Sequence, residues 1–301
     1  MVVNRAKAYK APLLEKIPER VVSLVPSLTE SLFDLGLGGC VVGITDYCIY
    51  PKEKLLNIPR VGGTKNARIE DILLLEPDLV IANRDENNRE TVEFLKAARI
   101  PVWVTFPLTI AEVLADLRAI AGLFQNSAAF IKIDILERAV EWAQTAAEED
   151  GARSYFCPIW FDRLDEETFW WMTFNDQTYS GDLLQMLGGV NVFAERIRYN
   201  PISADLGLGE GTKSENDDSR YPRVSLAEVI SADPEIILLP DEPYHYVNEH
   251  IQEIEELLTN TRAVREKSIY FVDGTLITWH GTRLGRALRV LPKYITPDMS
   301  Y

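Results

Sequence analysis

Rings and side-chain donors gather at a few places in this chain. Tyr47, Tyr50, Trp160, Tyr244 and Trp279 are accompanied by Lys65, Arg84, His245, His280 and Arg283. Flat aromatic faces make apolar walls for a ligand, and cationic donors beside them suit its anionic groups. Core packing is the competing role for any single ring. Cys48, His245 and His280 offer a second chemistry, because a thiolate with imidazoles suits zinc or cobalt. No close pair among them has a metal-ligand spacing, and His245 and His250 would diverge on a helix, so no metal site is assigned. Cys48 is thus a candidate thiolate ligand, with a buried or incidental role as the alternative.

Catalytic machinery is harder to find. The chain contains no GxGxxG behind a strand, no GxxxxGK[ST], no GxSxG and no HExxH. Asp46 and Glu86 near His280 form a conceivable acid–base set, but nothing in the spacing fixes their geometry. The reading is a binding protein with no catalytic residues, not an enzyme.

Residues so far apart need a scaffold that brings their loops together. The chain has 301 residues, 47% apolar and 26% charged, enough for two ordinary cores. Its 31 Lys and Arg stand against 46 Asp and Glu, a formal charge of −15, which repels a polyphosphate surface and argues against nucleic acid. Three widely spaced cysteines, Cys40, Cys48 and Cys157, describe neither a disulfide framework nor a CxxC zinc site. The opening Met1-Val-Val-Asn-Arg-Ala lacks the pattern of an export signal, so as written the expected location is cytoplasmic. A start codon placed elsewhere would make it periplasmic or membrane-associated. A monomer is expected.

From Arg20 the text runs as a β-branched strand, a break at Pro26, Ser27 or Thr29 as helix caps, and Gly36 as terminator. A strand follows at Val41–Ile44. A helix at Ile69–Leu75 leads through Glu76-Pro77-Asp78 into the strand Leu79–Ala82. A helix from about Glu86 to Ala98 and a strand at Pro101–Phe106 complete a parallel α/β lobe. The second half repeats this grammar. Ile69–Ala82 matches Leu226–Leu239 at a constant offset of 157 residues, and Gly181–Gly189 restates the helix that ends at Gly36. A strand is expected over Ser154–Trp160. Between the halves, Asn126 or Ser127 caps a helix whose Ile131, Ile135, Ala139, Trp142 and Ala146 keep helical spacing. It is long enough to connect two lobes and to favour small lobe motions over wide hinge closure. The expected organisation is an N-terminal extension 1–19, a lobe 20–124, a connecting helix 125–150 and a lobe 151–301. Asp205–Arg220 reads as a surface loop, and Trp170-Trp171 beside the acidic insertion Asp162–Glu167 is not placed. In open α/β lobes ligands gather at the carboxyl ends of strands, here Pro26–Thr29, Asp46–Pro51, Gly62–Asn66, Asn83–Asn87, Pro158–Phe161, Pro240–His245 and Trp279–Arg283.

Val21–Glu30, Val61-Gly-Gly-Thr-Lys-Asn66, Glu76–Ile81, Pro158-Ile-Trp160, Leu239-Pro-Asp-Glu-Pro-Tyr244, Val272-Asp-Gly274 and Trp279-His-Gly-Thr-Arg283 together resemble the substrate-binding proteins of iron-siderophore and vitamin B12 importers, in the branch of helical-backbone metal receptors. The resemblance implies two Rossmann-like three-layer lobes with parallel sheets, joined by a single long backbone helix (the type III periplasmic-binding-protein fold). It also implies a metal chelate, corrinoid or siderophore-like, held in the interlobe cleft with no intrinsic cofactor. Cobalamin and ferric chelates are the candidate ligands. By this resemblance Thr64 and Asn83 occupy places where the B12-binding branch stacks tryptophans, Glu242 lies in a cleft loop, and Asn175 and Tyr179 lie at the cleft. It further implies docking to an ABC-importer permease through one glutamate per lobe. Glu70 fills the first place, whereas the offset puts Ala227 in the second, with Glu228 one position later. The alternative, resting on fold analogy alone, is a metal- or tetrapyrrole-handling enzyme of chelatase-like fold.

Overall fold

Strands, helices and turns were located in a computed structural model that describes residues 10–166, 168–212 and 219–296. Residues 1–9 of the expected extension, Glu167 of the acidic insertion and 213–218 of the expected surface loop lie outside the described residues. The chain divides into two units. The first runs to Arg138 and also takes Trp279–Gly285; the second comprises Ala139–Thr278 and the residues from Arg286 onward. The segment carrying Trp279, His280 and Arg283 therefore belongs with the first unit, although the expected boundary puts it in the second half.

In the first unit the β-branched run β1 (Val21–Ser23) is wholly buried and leads into α1 (Pro26–Asp34). Pro26, with its φ already set for a helix, begins α1 directly after Val25, so neither Ser27 nor Thr29 caps it. Thr29 lies inside the first turn and donates to the Val25 carbonyl at 3.0 Å. Next come β2 (Val41–Ile44), α2 (Ile69–Leu74), β3 (Leu79–Asn83), α3 (Arg89–Ala97) and β4 (Val102–Thr105). The four strands form a parallel sheet in the order β2-β1-β3-β4, with Val21 opposite Val41 and Leu79, and Val80 opposite Val102. Val22, Leu24, Val61, Ile72, Val80 and Leu95 pack into one apolar cluster against this sheet. Helix α4 (Ile110–Leu123) follows, capped by the Thr109 side chain.

Helix α5 (Ser127–Asp150) carries the chain from the first unit into the second. The Asn126 Oδ1 accepts from the Ala129 N–H at 3.0 Å and starts it. Its buried face is not the stripe that the spacing picks out. Ala129, Ile133 and Leu136 are buried, whereas Ile131, Ile135 and Trp142 are 61%, 59% and 83% exposed. Periodicity finds two apolar stripes on this helix and does not say which one has neighbours.

The second unit restates the first sheet. It holds β5 (Arg153–Phe156), β6 (Trp160–Arg163), β7 (Phe169–Met172), α6 (Tyr179–Met186), β8 (Gly189–Asn191), β9 (Arg223–Ser225), α7 (Leu226–Ala232), β10 (Ile236–Pro240), α8 (Asn248–Leu257) and β11 (Ile269–Val272). Its parallel sheet runs β8-β5-β10-β11, the first unit's order element for element. The repeat extends to single atoms. Glu76 and Asp233, which are 157 positions apart, both end their helices in the left-handed region, at φ 44° and 42°. One residue past the proline, Asp78 accepts from the N–H groups of Glu19 and Arg20 at 2.9 and 3.0 Å, and Glu235 accepts from the N–H of Ser154 at 2.7 Å. In each unit that carboxylate anchors the chain at the entry to the first strand. Gly36 and Gly188 close equivalent helices at φ 85° and 87°, where a Cβ would be strained.

What the repeat did not announce is an insertion. The expected strand Ser154–Trp160 is broken after Phe156, and Trp160 begins a separate antiparallel sheet, β6-β7-β9. Trp170 and Trp171 are buried in β7, where Phe161 stacks on Trp171 at 5.4 Å and on Phe169 at 6.2 Å. The segment Asp205–Arg220 is buried at Asp205, Leu206 and Arg220 and exposed over 207–212, as a surface loop would be. Asp205 is buried, its carboxylate holding Arg196, Arg223 and the Tyr199 N–H.

Candidate functional site

At the carboxyl ends of β1 to β4 the first unit builds a polar frame around Asn83. Its Oδ1 accepts from the Asp85 N–H at 2.8 Å, and its Nδ2 lies 3.3 Å from Thr105 Oγ1 and 3.4 Å from His280 Nε2. Asn87 accepts from the Asn83 N–H at 2.7 Å and donates to the carbonyls of Leu24 and Thr64, at 3.1 and 3.0 Å. Asn83 and His280 are buried, and burial depresses the imidazole to a pKa of about 4, keeping it neutral. Cys48 is also buried, 3.2 Å from both Thr29 Oγ1 and Thr45 Oγ1, and burial pushes its thiol up. The expected thiolate ligand is thus a core thiol. Desolvation favours its neutral form, and both neighbouring hydroxyls hold it in place.

The segment Trp279–Gly285 is bound to α1. Arg283 makes two hydrogen bonds of 2.7 Å to the Glu30 carboxylate, and the Thr282 N–H donates to Ser31 Oγ at 3.0 Å. The Arg283 guanidinium also sits 4.2 Å from the Tyr50 ring centroid and 5.1 Å from that of Trp279, whose rings meet edge-on at 6.0 Å. Tyr50, Trp279 and Arg283 are thus brought together, but Arg283 is 3% exposed and serves as a brace, not as the open donor its position in the loop implied. Tyr47, 62% exposed, and the exposed Lys65 and Arg84 remain outward in the same unit. Arg84 lies over the Phe106 ring at 4.6 Å, and Thr64 is half-buried.

In the second unit, Trp160 is 41% exposed and meets Tyr244 at 5.6 Å between ring centroids. The Val247 N–H donates to His250 Nδ1 at 2.9 Å, so Nε2 carries the proton and donates to the Tyr244 hydroxyl at 3.0 Å. His250 thereby fixes the Tyr244 ring, a role that spacing did not reveal. His245 is exposed, and Glu242 accepts from Thr278 Oγ1 at 3.0 Å. Tyr179 begins α6 and is buried, as is Asn175, which donates to the Arg196 carbonyl at 3.1 Å. Among the described residues no group of three or more His, Cys, Asp or Glu is placed to hold a metal ion.

Glu70 is exposed in the first turn of α2. Glu228 does not match it. In the first turn of α7 it closes a capping box with Ser225, accepting from the N–H at 2.8 Å and the hydroxyl at 3.0 Å, and it pairs with Arg196 Nε at 2.9 Å. Its carboxylate is thus taken up by Ser225 and Arg196, and the exposed position equivalent to Glu70 is Ala227.

The sequence residues missed at these faces are Glu30, Asn87 and His250. Glu30 lies within the motif Val21–Glu30, but nothing local marks it as the partner of an arginine 253 positions away. Asn87 sits four residues beyond Asn83, a spacing that identifies an Asx bond only once the turn is known.

The family model for periplasmic binding proteins matches residues 21–276. Among relatives, a vitamin B12-binding protein of Yersinia pestis is 27% identical over 230 residues, covering 73% of this chain and 69% of its own. An ABC transporter substrate-binding lipoprotein of Bacillus subtilis is 26% identical over 296 residues, covering 95% and 82%. Among solved structures, the periplasmic vitamin B12 binding protein of Vibrio cholerae aligns with a TM-score of 0.72 at 20% identity, over 92% of this chain and 96% of its own. A periplasmic heme-binding protein of Roseiflexus aligns with a TM-score of 0.71 at 23% identity, over 92% and 97%. The alignments show that those structures share the fold of this chain, and with a family match across most of its length this chain belongs to the periplasmic binding protein family.

Proposed function

We propose that the chain is a non-catalytic receptor for a metal chelate of corrinoid, heme or siderophore type, working as the substrate-binding component of an ABC importer. The carrying observation is that both units leave rings and donors exposed at the carboxyl ends of their parallel strands. Tyr47, Lys65 and Arg84 do so in the first, and Trp160 and His245 in the second. Relatives named for vitamin B12 and heme support the ligand class. Rings stack on a planar macrocycle, and cations neutralise its carboxylates. The half-buried Thr64, Tyr50, Trp279, Tyr244 and Glu242 border these groups. Asn83, His280, Cys48, Arg283 and Tyr179 position the loops from beneath. The chelate is cargo, and no resident cofactor is assigned. Glu70 supplies one contact to a permease. Relatives named periplasmic or lipoprotein favour a receptor outside the cytoplasm over the cytoplasmic binder expected from Met1-Val2-Val3. Among the described residues no helix is long and apolar enough to cross a membrane.

Anaerobic titration with cyanocobalamin, cobinamide, hemin and a ferric catecholate siderophore, followed by tryptophan fluorescence, tests the reading. One of them should quench emission saturably at one equivalent. Trp160→Ala should weaken that binding roughly tenfold, as expected for loss of one stacked ring. If none quenches emission or raises the melting temperature, the chelate assignment fails.

A further inference from the structure

Helix α4 is apolar on more of its circumference than the core covers. Ile110, Val113, Leu117, Ile120 and Ala121 are buried. A second face, one turn apart at each step, carries Glu112, Asp116, Ala119 and Leu123, and with Trp103 and Phe106 it walls a cavity of about 480 Å³ in the first unit. That is the size of a site for a small organic molecule. The cavity is distinct in its chemistry from the strand-end loops. The pocket is open to solvent on one side; its wall is apolar apart from the carboxylates of Glu112 and Asp116, and Lys10 lies on its rim.

The two carboxylates differ. Glu112 accepts from the Leu108 N–H at 2.7 Å and is part of the N-terminal cap of α4. Asp116 has no such task, and burial together with the neighbouring Glu112 raises its pKa to about 7. An isolated carboxyl on an apolar wall serves no packing purpose, since an alanine or leucine would fill the space without desolvating a charge. It does suit a cation whose organic body fills the rest of the volume.

We propose that this cavity is a second binding site, for a small organic monocation consisting of an ammonium group on an aromatic or branched aliphatic body. The ammonium forms a charge-assisted hydrogen bond with Asp116, with Glu112 adding negative potential, while the body packs on Ala115, Ala119 and Leu123. Lys10 repels the cation from the rim and so favours ligands with one charge over polyamines.

Isothermal titration calorimetry of the full chain with phenethylamine, 2-phenylethanol and 3-phenylpropionate tests this at pH 8. The amine should bind at one equivalent, and the alcohol and acid at least tenfold more weakly. Asp116→Asn should weaken the amine at least tenfold. Ala119→Leu, which puts three more carbons into the pocket beside Asp116 without altering charge, should weaken binding at least tenfold and decides the matter should Asp116→Asn fail to fold. Absence of amine binding at millimolar concentration, equal binding of the alcohol, or binding unchanged in Ala119→Leu overturns the proposal. The chelate titration above is read separately, and its outcome does not bear on this one.

Discussion

Removing Glu30 should unfold the first unit more easily than removing almost any other surface-adjacent acid. The Arg283 side chain is 1% exposed and that of Glu30 15%, and they are joined by two bonds of 2.7 Å. Such a pair contributes little relative to apolar groups of the same shape, but losing one partner strands the other's charge, at a cost of about 3–5 kcal/mol. The guanidinium over Tyr50 retains a cation–π contact worth about 1–2 kcal/mol, which softens the loss, so Glu30→Ala should cost roughly 3 kcal/mol. For a unit of this size that lowers the melting temperature by about 10 °C. Arg283→Met should cost less, because the remaining carboxylate is nearer to water. The double variant Glu30→Ala/Arg283→Met should recover much of the loss, since no buried charge remains. Urea unfolding of the four proteins gives the coupling energy directly. A Glu30→Ala loss below about 1 kcal/mol with no coupling would refute the bracing role. Arg283→Met of unchanged stability but weakened chelate binding would restore Arg283 to the list of ligand donors.

Two further outcomes follow from single residues. His280, depressed by burial to a pKa of about 4 from 6.5, is neutral in the folded chain while the unfolded chain takes up a proton first as pH falls. Its contribution to stability is therefore complete above pH 6.5 and lost between there and about pH 4, a change on the order of 3 kcal/mol that His280→Asn should remove from urea midpoints measured across that range. Gly188→Ala, at φ 87° and with Gly151 O at 3.5 Å from the added Cβ, should cost about 1–2 kcal/mol by the same assay; a neutral effect would mean that the helix end adjusts its backbone.

The chemistry that was legible in the sequence lay within short stretches. The acid-Pro-acid junctions at 76–78 and 233–235 reappear as two left-handed helix ends followed by two strand-anchoring carboxylates, because turn geometry depends on a few neighbouring residues. Gly36 and Gly188 reappear as helix terminators for the same reason. Exposed Tyr47 and His245 sit in strand-end loops, where alternation of strand and helix puts them, whereas Trp160 starts β6.

Residue type and spacing alone determined the two parallel α/β halves, their shared order of elements and the loops on which ligand-facing side chains gather. Tertiary structure decided which of those side chains face outward. Arg283, Asn83, Cys48 and Glu228 all carry polar groups that suit a ligand on paper, yet each is buried or held by a partner that the fold supplies: Glu30, Thr105 and His280, Thr29 and Thr45, Ser225 and Arg196. The same holds for α5, where Ile133 rather than Ile131 is buried. Local sequence sets backbone conformation through sterics that act over a few bonds, whereas desolvation and ion pairing depend on atoms brought close only when distant segments meet.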